Sequence, residues 1–181
     1  LERMLTYDPY LDPARATELG VDLVDLPTIF READFVAVNC PLTDETNGLV
    51  NADLFALMKP TAYFVNTARG PIVNQDDLTA ALSSGQMAGA GLDVFAEEPI
   101  SPNHPLVQMD NVILAPHALA WTDDLYRGNG IGAVENVLKV LSGNAPTYTV
   151  NKDVISRNGF QQKLTRLRDK WAIIAPVSYT H

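Results

Sequence analysis

Short apolar runs alternate with amphipathic stretches through most of this chain. Asp34–Val38 (Asp-Phe-Val-Ala-Val) and Ala62–Val65 (Ala-Tyr-Phe-Val) read as buried strands, the second buried on both faces. Met87–Val94 is small, apolar and Gly-rich, which suits a strand in close contact with a neighbour. Val112–Leu114 is a last strand, ended by Ala115-Pro116-His117. Earlier, Met4–Tyr7 forms a short strand and Val21–Val24 an outer one. Helices fall between them: Pro13–Leu19 closed by Gly20, Leu26–Ala33 with Pro27 at its start, and Ala52–Met58. A further helix, Gln75–Leu82, is capped around Asn74 and stopped near Gly85, and Glu97–Pro105 is loop. Thr122–Leu141 is a long helix, with Ile131, Val134, Val137, Leu138 and Leu141 at helical spacing.

Strands alternating with helices predict an α/β fold, a parallel sheet covered by helices on both faces. Around Pro146–Asn151 the chain becomes a linker, and Phe160–Ile174 follows as an amphipathic basic helix. No initiator Met opens the chain, and a strand begins almost at once. Val177-Ser178-Tyr179-Thr180-His181 resembles the translated read-through of a sequencing adapter. The expectation is therefore a fragment cut at both ends, with 177–181 a non-native tail. On that expectation the helix Phe160–Ile174 lacks its natural packing partner.

The length, 181 residues, suits one domain, or one and a part. A hydrophobic share of 46% allows a sizeable core. The net charge of −9 argues against nucleic acid or an anionic membrane as partner. No apolar run approaches the roughly 20 residues of a membrane span. Cys40 is the single cysteine, so a disulfide framework is impossible and a reducing, cytoplasmic location is expected.

The candidate chemistry stands at strand ends: Asp8, Arg69, Asp93 with Glu98, and His117. Parallel strands deliver their carboxyl ends to one edge, where open α/β sheets bind ligands. Taken singly, each residue has a plainer explanation. Asp8 before Pro9 suits a turn, Arg69 a surface ion pair, Glu98 a solvated loop and His117 a loop histidine. Asp93 beside a buried strand needs a partner. Together, a His beside a carboxylate is a general acid–base, and a nearby guanidinium is a clamp for an anion. No Ser or Cys stands at a strand-to-helix elbow, so acyl transfer lacks a nucleophile. One cysteine and three histidines support no zinc site. Proton removal coupled to hydride transfer, with a cofactor carrying the hydride, fits this set.

Three stretches resemble the signatures of the D-2-hydroxyacid dehydrogenases: Val65-Asn66-Thr67-Ala68-Arg69-Gly70-Pro71-Ile72-Val73, Gly91-Leu92-Asp93-Val94-Phe95-Ala96-Glu97-Glu98-Pro99, and Pro116-His117. Cys40-Pro41-Leu42-Thr43-Asp44-Glu45-Thr46 resembles that family's Pro-Leu-Thr cofactor loop, and Tyr7-Asp8-Pro9-Tyr10 its ribose-binding strand end. The resemblance covers roughly residues 1–155, in the family's order. It implies a three-layer α/β/α Rossmann-like sheet, incomplete at the N-terminus, with a partial NAD-binding domain at 1–150 and a return to a substrate domain at 151–176. It implies that Arg69 binds the substrate carboxylate and carbonyl, that His117 is the acid–base, and that Glu98 hydrogen-bonds it. Tyr7, Asp8, Pro9, Cys40, Pro41, Thr46, Thr67, Ala68, Arg69, Asp93 and His117 would contact NAD, Asp8 at the ribose and Asp93 at the nicotinamide amide. A carboxylate at Asp8 repels a 2′-phosphate, so NAD is favoured over NADP. The substrate would be a small 2-hydroxy or 2-keto acid. Relatives dimerise through the nucleotide domain and a long helix like Thr122–Leu141, so a homodimer is expected.

The departures shape the expectation. A Gly-x-Gly-x-x-Gly loop belongs about 20 residues before the ribose carboxylate, and Asp8 leaves no room for one. Ala118-Leu119-Ala120-Trp121 replaces the small Gly-rich run common after His117 in phosphoglycerate dehydrogenases, which argues against phosphoglycerate as substrate. Formate dehydrogenases carry an amide where Glu98 stands. The rival reading is an NAD-sensing binding module, since corepressors on this fold can retain the same triad.

Overall fold

The computed structural model describes residues 3–156 and 159–174; the tail expected at 177–181 lies outside them. The chain divides into two compact units, Leu1–Leu119 and Ala120–His181.

In the first unit, β1 (Leu5–Thr6) pairs in parallel with β2 (Asp22–Leu23). A separate four-stranded sheet has the order β3 (Phe35–Val38), β4 (Tyr63–Asn66), β5 (Gly89–Leu92), β6 (Val112–Leu114), all parallel. Helices α1 (Pro13–Leu19), α2 (Leu26–Glu32), α3 (Ala52–Phe55) and α4 (Gln75–Ser83) fill the crossovers. This is the α/β parallel-sheet architecture expected from the alternating pattern. Polar caps set the helix starts: Asp12, Asp25, Asn51 and Asn74 each accept backbone N–H bonds from the first turn. The predicted helix Ala52–Met58 keeps its first turn as α3 and ends in tighter bonds, Leu57 N–H to Leu54 O and Met58 N–H to Phe55 O.

Register across the sheet aligns Val36 with Phe64 and Ala90, and Val38 with Asn66, Leu92 and Leu114. That face is buried under Phe30 of α2, Phe55 of α3 and Leu78 of α4. Phe55 meets Phe64 edge to face, with ring centroids 5.3 Å apart at 85°. The opposite face corrects the expectation of strands buried on both sides. Phe35 stacks on Tyr63 at 5.7 Å, yet the two remain 69% and 46% exposed. An apolar run by itself does not report whether both faces are covered.

One close approach places the loops that leave β4 and β5. A Cβ on Gly70 would stand 1.8 Å from the carbonyl oxygen of Phe95 and 2.6 Å from the nitrogen of Ala96. Only a residue without a side chain lets these two loops meet.

In the second unit, α5 (Asp123–Leu141) is capped by Thr122, whose Oγ1 accepts from Leu125 N–H. No residue of α5 is buried, and Ile131, Val134, Val137 and Leu138 are all about half exposed. After a short α6 (Asp153–Ser156) comes α7 (Phe160–Ile174). It lies against α5, with Leu164 buried and Leu167 sharing an apolar hollow with Val137, Val140, Leu141 and Pro146. The amphipathic stripe finds a neighbour inside the same chain.

Two expectations follow. Gly70→Ala should destabilise the first unit by at least the roughly 1–3 kcal/mol typical of overpacking, because the added methyl meets backbone rather than a movable side chain. Thermal unfolding measures it, and an unchanged melting temperature would refute the close approach. By contrast, nothing lies within 4 Å of a Cβ on Gly128 or Gly130, both inside α5. Replacing either with Ala should stabilise the second unit by about 0.8–1 kcal/mol. Amide hydrogen exchange along α5 should slow accordingly.

Candidate active site

Because β4, β5 and β6 are parallel neighbours, the segments that follow them leave from one edge of the sheet. Arg69 comes after β4, Asp93 and Glu98 after β5, and His117 after β6. The loops are tied there by polar groups that end the strands.

Asn66 is the last residue of β4 and 2% exposed. Its Oδ1 accepts from Ala68 N–H at 3.1 Å, and its Nδ2 donates to Arg69 O at 3.1 Å. Its backbone carbonyl accepts from Asp93 N–H at 3.0 Å. One buried amide thus shapes the turn that presents Arg69 and joins it to β5. The sequence reading assigned Asn66 no role. Its signal was a polar residue closing an otherwise apolar strand, which burial tolerates only when every polar atom is bonded. The Arg69 side chain itself is exposed and turns back to donate from Nη1 to Ala68 O at 2.5 Å.

Asp93 is 5% exposed, and its carboxylate accepts three bonds from the segment after His117. Ala118 N–H reaches Oδ1 at 2.8 Å, and Leu119 N–H lies 3.3 Å from each oxygen. His117 has φ +55°, in the left-handed region that side chains rarely enter. The Asp93 carboxylate holds the two amides beyond it and so helps fix that turn.

The result is a dyad. His117 Nδ1 and Glu98 Oε2 stand 2.8 Å apart, and the other Glu98 oxygen accepts from Phe95 N–H at 3.0 Å. The bond from His117 holds the Glu98 carboxyl below the usual carboxylate range, helped by the Phe95 amide and, more weakly, by the charge of Arg69. The dyad is partly open to solvent, with side-chain exposures of 45% for His117 and 37% for Glu98.

The remaining predicted residues make other contacts than this dyad. Asp8 accepts from Tyr10 N–H at 2.9 Å, a turn of the kind its neighbour Pro9 suggests. Tyr10 Oη lies 3.4 Å from Glu45 Oε2, which links the end of β1 to the loop after β3. Tyr7, Asp8 and Pro9 are exposed, so the carboxylate remains open to a diol. Half-buried Cys40 packs against the core. In the loop that follows, Thr46 Oγ1 donates to Pro41 O at 2.7 Å and accepts from Thr43 N–H at 2.8 Å. Thr67 is exposed and Ala68 half-buried, the two residues immediately before Arg69.

These groups fit the two ends of a dinucleotide: an open carboxylate for ribose hydroxyls, and a buried carboxylate with spare acceptor capacity for an amide. Gly128, Gly130 and Ala133 have phosphate-loop spacing, but they sit inside α5. Mid-helix N–H groups are already bonded and cannot cradle a phosphate. Among the described residues no group of His, Cys, Asp and Glu is placed to hold a metal ion.

Comparison with known proteins gives this edge its context. The chain is 44% identical over 136 residues to glyoxylate reductase of Thermofilum pendens, covering 75% of this chain and 40% of that protein. It is 45% identical over 130 residues to glyoxylate/hydroxypyruvate reductase B of Shigella boydii, covering 72% and 40%. Among solved structures it resembles a D-isomer specific 2-hydroxyacid dehydrogenase from Lactobacillus delbrueckii ssp. bulgaricus in its NAD-complexed form. The TM-score is 0.72 and the identity 30%, covering 82% of this chain and 48% of that one. The chain therefore spans less than half the length of these relatives. The pattern described as "D-isomer specific 2-hydroxyacid dehydrogenase, NAD binding domain" matches residues 2–118, and the chain belongs to that family.

Proposed function

We propose that this chain is the greater part of the NAD-binding half of an oxidoreductase that interconverts a small D-2-hydroxy acid and its 2-keto acid. The observation that carries this reading is the His117–Glu98 pair, 2.8 Å apart, at the sheet edge that also presents Arg69. Residues 1–150 serve the cofactor, 151–176 lead back to a substrate domain, and 177–181 are not native to the protein.

With Nδ1 turned to Glu98, His117 has Nε2 left for substrate. In oxidation neutral His117 takes the hydroxyl proton at Nε2; in reduction the imidazolium returns one to the carbonyl oxygen. Glu98 orients the ring and stabilises its charged form. Arg69 binds the carboxylate with its fork and polarises the carbonyl. Asp8 takes the ribose hydroxyls, and its charge selects NAD over NADP. Asp93 faces the nicotinamide amide while it anchors the backbone after His117. Tyr7, Pro9, Cys40, Pro41, Thr46, Thr67 and Ala68 line the cofactor. When bound, NAD supplies the hydride acceptor or donor.

The exposed apolar residues of α5 support a homodimer of the complete protein. A net charge of −9 supports a small-molecule substrate rather than nucleic acid or membrane as partner. No helix among the described residues is long and apolar enough to cross a membrane. The single Cys40 supports a cytoplasmic site of action.

The complete protein should oxidise NADH with small 2-keto acids, glyoxylate being the first to try. NAD binding without turnover of any keto acid would point to a binding module instead. His117→Ala should lower kcat by about 10²–10⁴-fold, the usual share of a general acid–base group. Arg69→Ala should act mainly on KM for the keto acid and leave NAD affinity near wild type.

A pH effect on folding should accompany the dyad. The Glu98 carboxyl is held below its ordinary value of 4.5, so its contribution to stability is full above that value. It is lost as pH falls through the lower folded-state value. The stability gap between wild type and Glu98→Gln should therefore narrow as pH falls below about 4.5. Urea unfolding across that range measures it; a constant gap would mean that His117 and the Phe95 amide do not stabilise the carboxylate.

A further inference from the structure

The turn that carries Glu98 is held from outside by a side chain to which no role has been given. Phe95 N–H donates to Glu98 Oε1, so the carboxylate folds back on its own turn. The next amide, Ala96 N–H, donates to Gln75 Oε1 at 2.9 Å. Gln75 is the first residue of α4, and the α4 residues Leu78 and Leu82 are buried in the core. The turn is thereby fastened to a rigid element.

Gln75 has a second neighbour. Its Nε2 lies 3.1 Å from Nε2 of His104. His104 Nδ1 accepts from Leu106 N–H at 3.2 Å, and Leu106 is fully buried. The neutral ring therefore carries its hydrogen on Nε2. That N–H faces the amide nitrogen of Gln75, donor against donor. Rotating the amide cures this contact and turns its NH₂ group on Ala96 N–H. Two donors converge on a side chain that has one acceptor oxygen.

We propose that Gln75 is a positioning residue for the Glu98–His117 dyad, fixing the Phe95–Glu98 turn through the Ala96 amide, and that Gln75→Glu would satisfy both donors where the amide satisfies one. The role rests on the reading of Glu98 and His117 as the acid–base pair.

The test needs neither substrate nor NAD, so its outcome is separate from whether the complete protein turns over a keto acid. It uses ¹³C-detected titration of the Glu98 carboxyl in this 181-residue chain, with the Phe95 amide shift as reporter of the same ionisation. His117 and Arg69 are the charged groups acting on Glu98, and Glu97 adjoins it in the chain. Gln75→Leu should raise the Glu98 midpoint towards that of an ordinary carboxyl and uncouple the Phe95 amide from the titration. Should that variant not fold, Gln75→Asn makes the same break, with a polar group one carbon short of Ala96. Gln75→Glu should keep the Phe95 coupling and melt above wild type at neutral pH, although Asp76 and Glu97 line the same groove and oppose the added charge. An unchanged Glu98 midpoint and an intact Phe95 coupling in the Leu or Asn variant would overturn the positioning role. A Gln75→Glu chain that melts no higher than wild type would overturn the two-donor account.

Discussion

The candidate site depends on the contact between Gly70 and the Phe95–Ala96 backbone. At that point the loops after β4 and β5 meet without a side chain between them. Arg69 precedes the contact and Glu98 follows it, so Arg69 and the Glu98–His117 pair are set against each other by two pieces of main chain. Backbone is the stiffest material available for this purpose, because it has no rotamers to lose. The parallel sheet supplies the coarse convergence and the glycine the last few ångströms.

Polar groups in this edge divide by burial. Asn66 and Asp93 are buried, and their bonds go to backbone: Ala68 and Arg69 for the first, Ala118 and Leu119 for the second. Arg69, Glu98 and His117 are open to solvent. A buried carboxylate without bonds would cost several kcal/mol; two N–H donors, of Ala118 and Leu119, offset that cost for Asp93. It can do so while keeping acceptor capacity, since a carboxylate offers about four lone-pair sites. The buried polar residues thus shape the strand ends, and the exposed ones lie open to solvent beside them.

Two apolar surfaces remain exposed: the sheet face of Phe35, Tyr63 and Ile113, and the stripe Ile131, Val134, Val137 and Leu138 on α5. Surfaces of this kind mark contacts with further protein. They accord with a chain that spans less than half of its relatives' length.

The sequence by itself determined the element order and the candidate chemistry that the proposal rests on. Period-two and period-3.6 patterns, with Asn, Asp, Gly and Pro as punctuation, located the strands and most helices, because local backbone preferences are written in single residues. The strand-end residues Arg69, Glu98 and His117 were legible because parallel topology alone sends them to one edge. Tertiary structure decided the rest. Which sheet face is covered depends on elements remote in the chain, so Tyr63 looked buried and is not. The neighbour of α7 within this unit is α5, a helix about twenty residues earlier. Asn66, Gln75 and the φ of His117 matter through hydrogen bonds between residues far apart in the chain: Asp93 N–H to Asn66 O, Ala96 N–H to Gln75 Oε1, and Ala118 N–H to Asp93 Oδ1. No periodicity records such pairings, because they are properties of distance in space and of how many donors meet one acceptor.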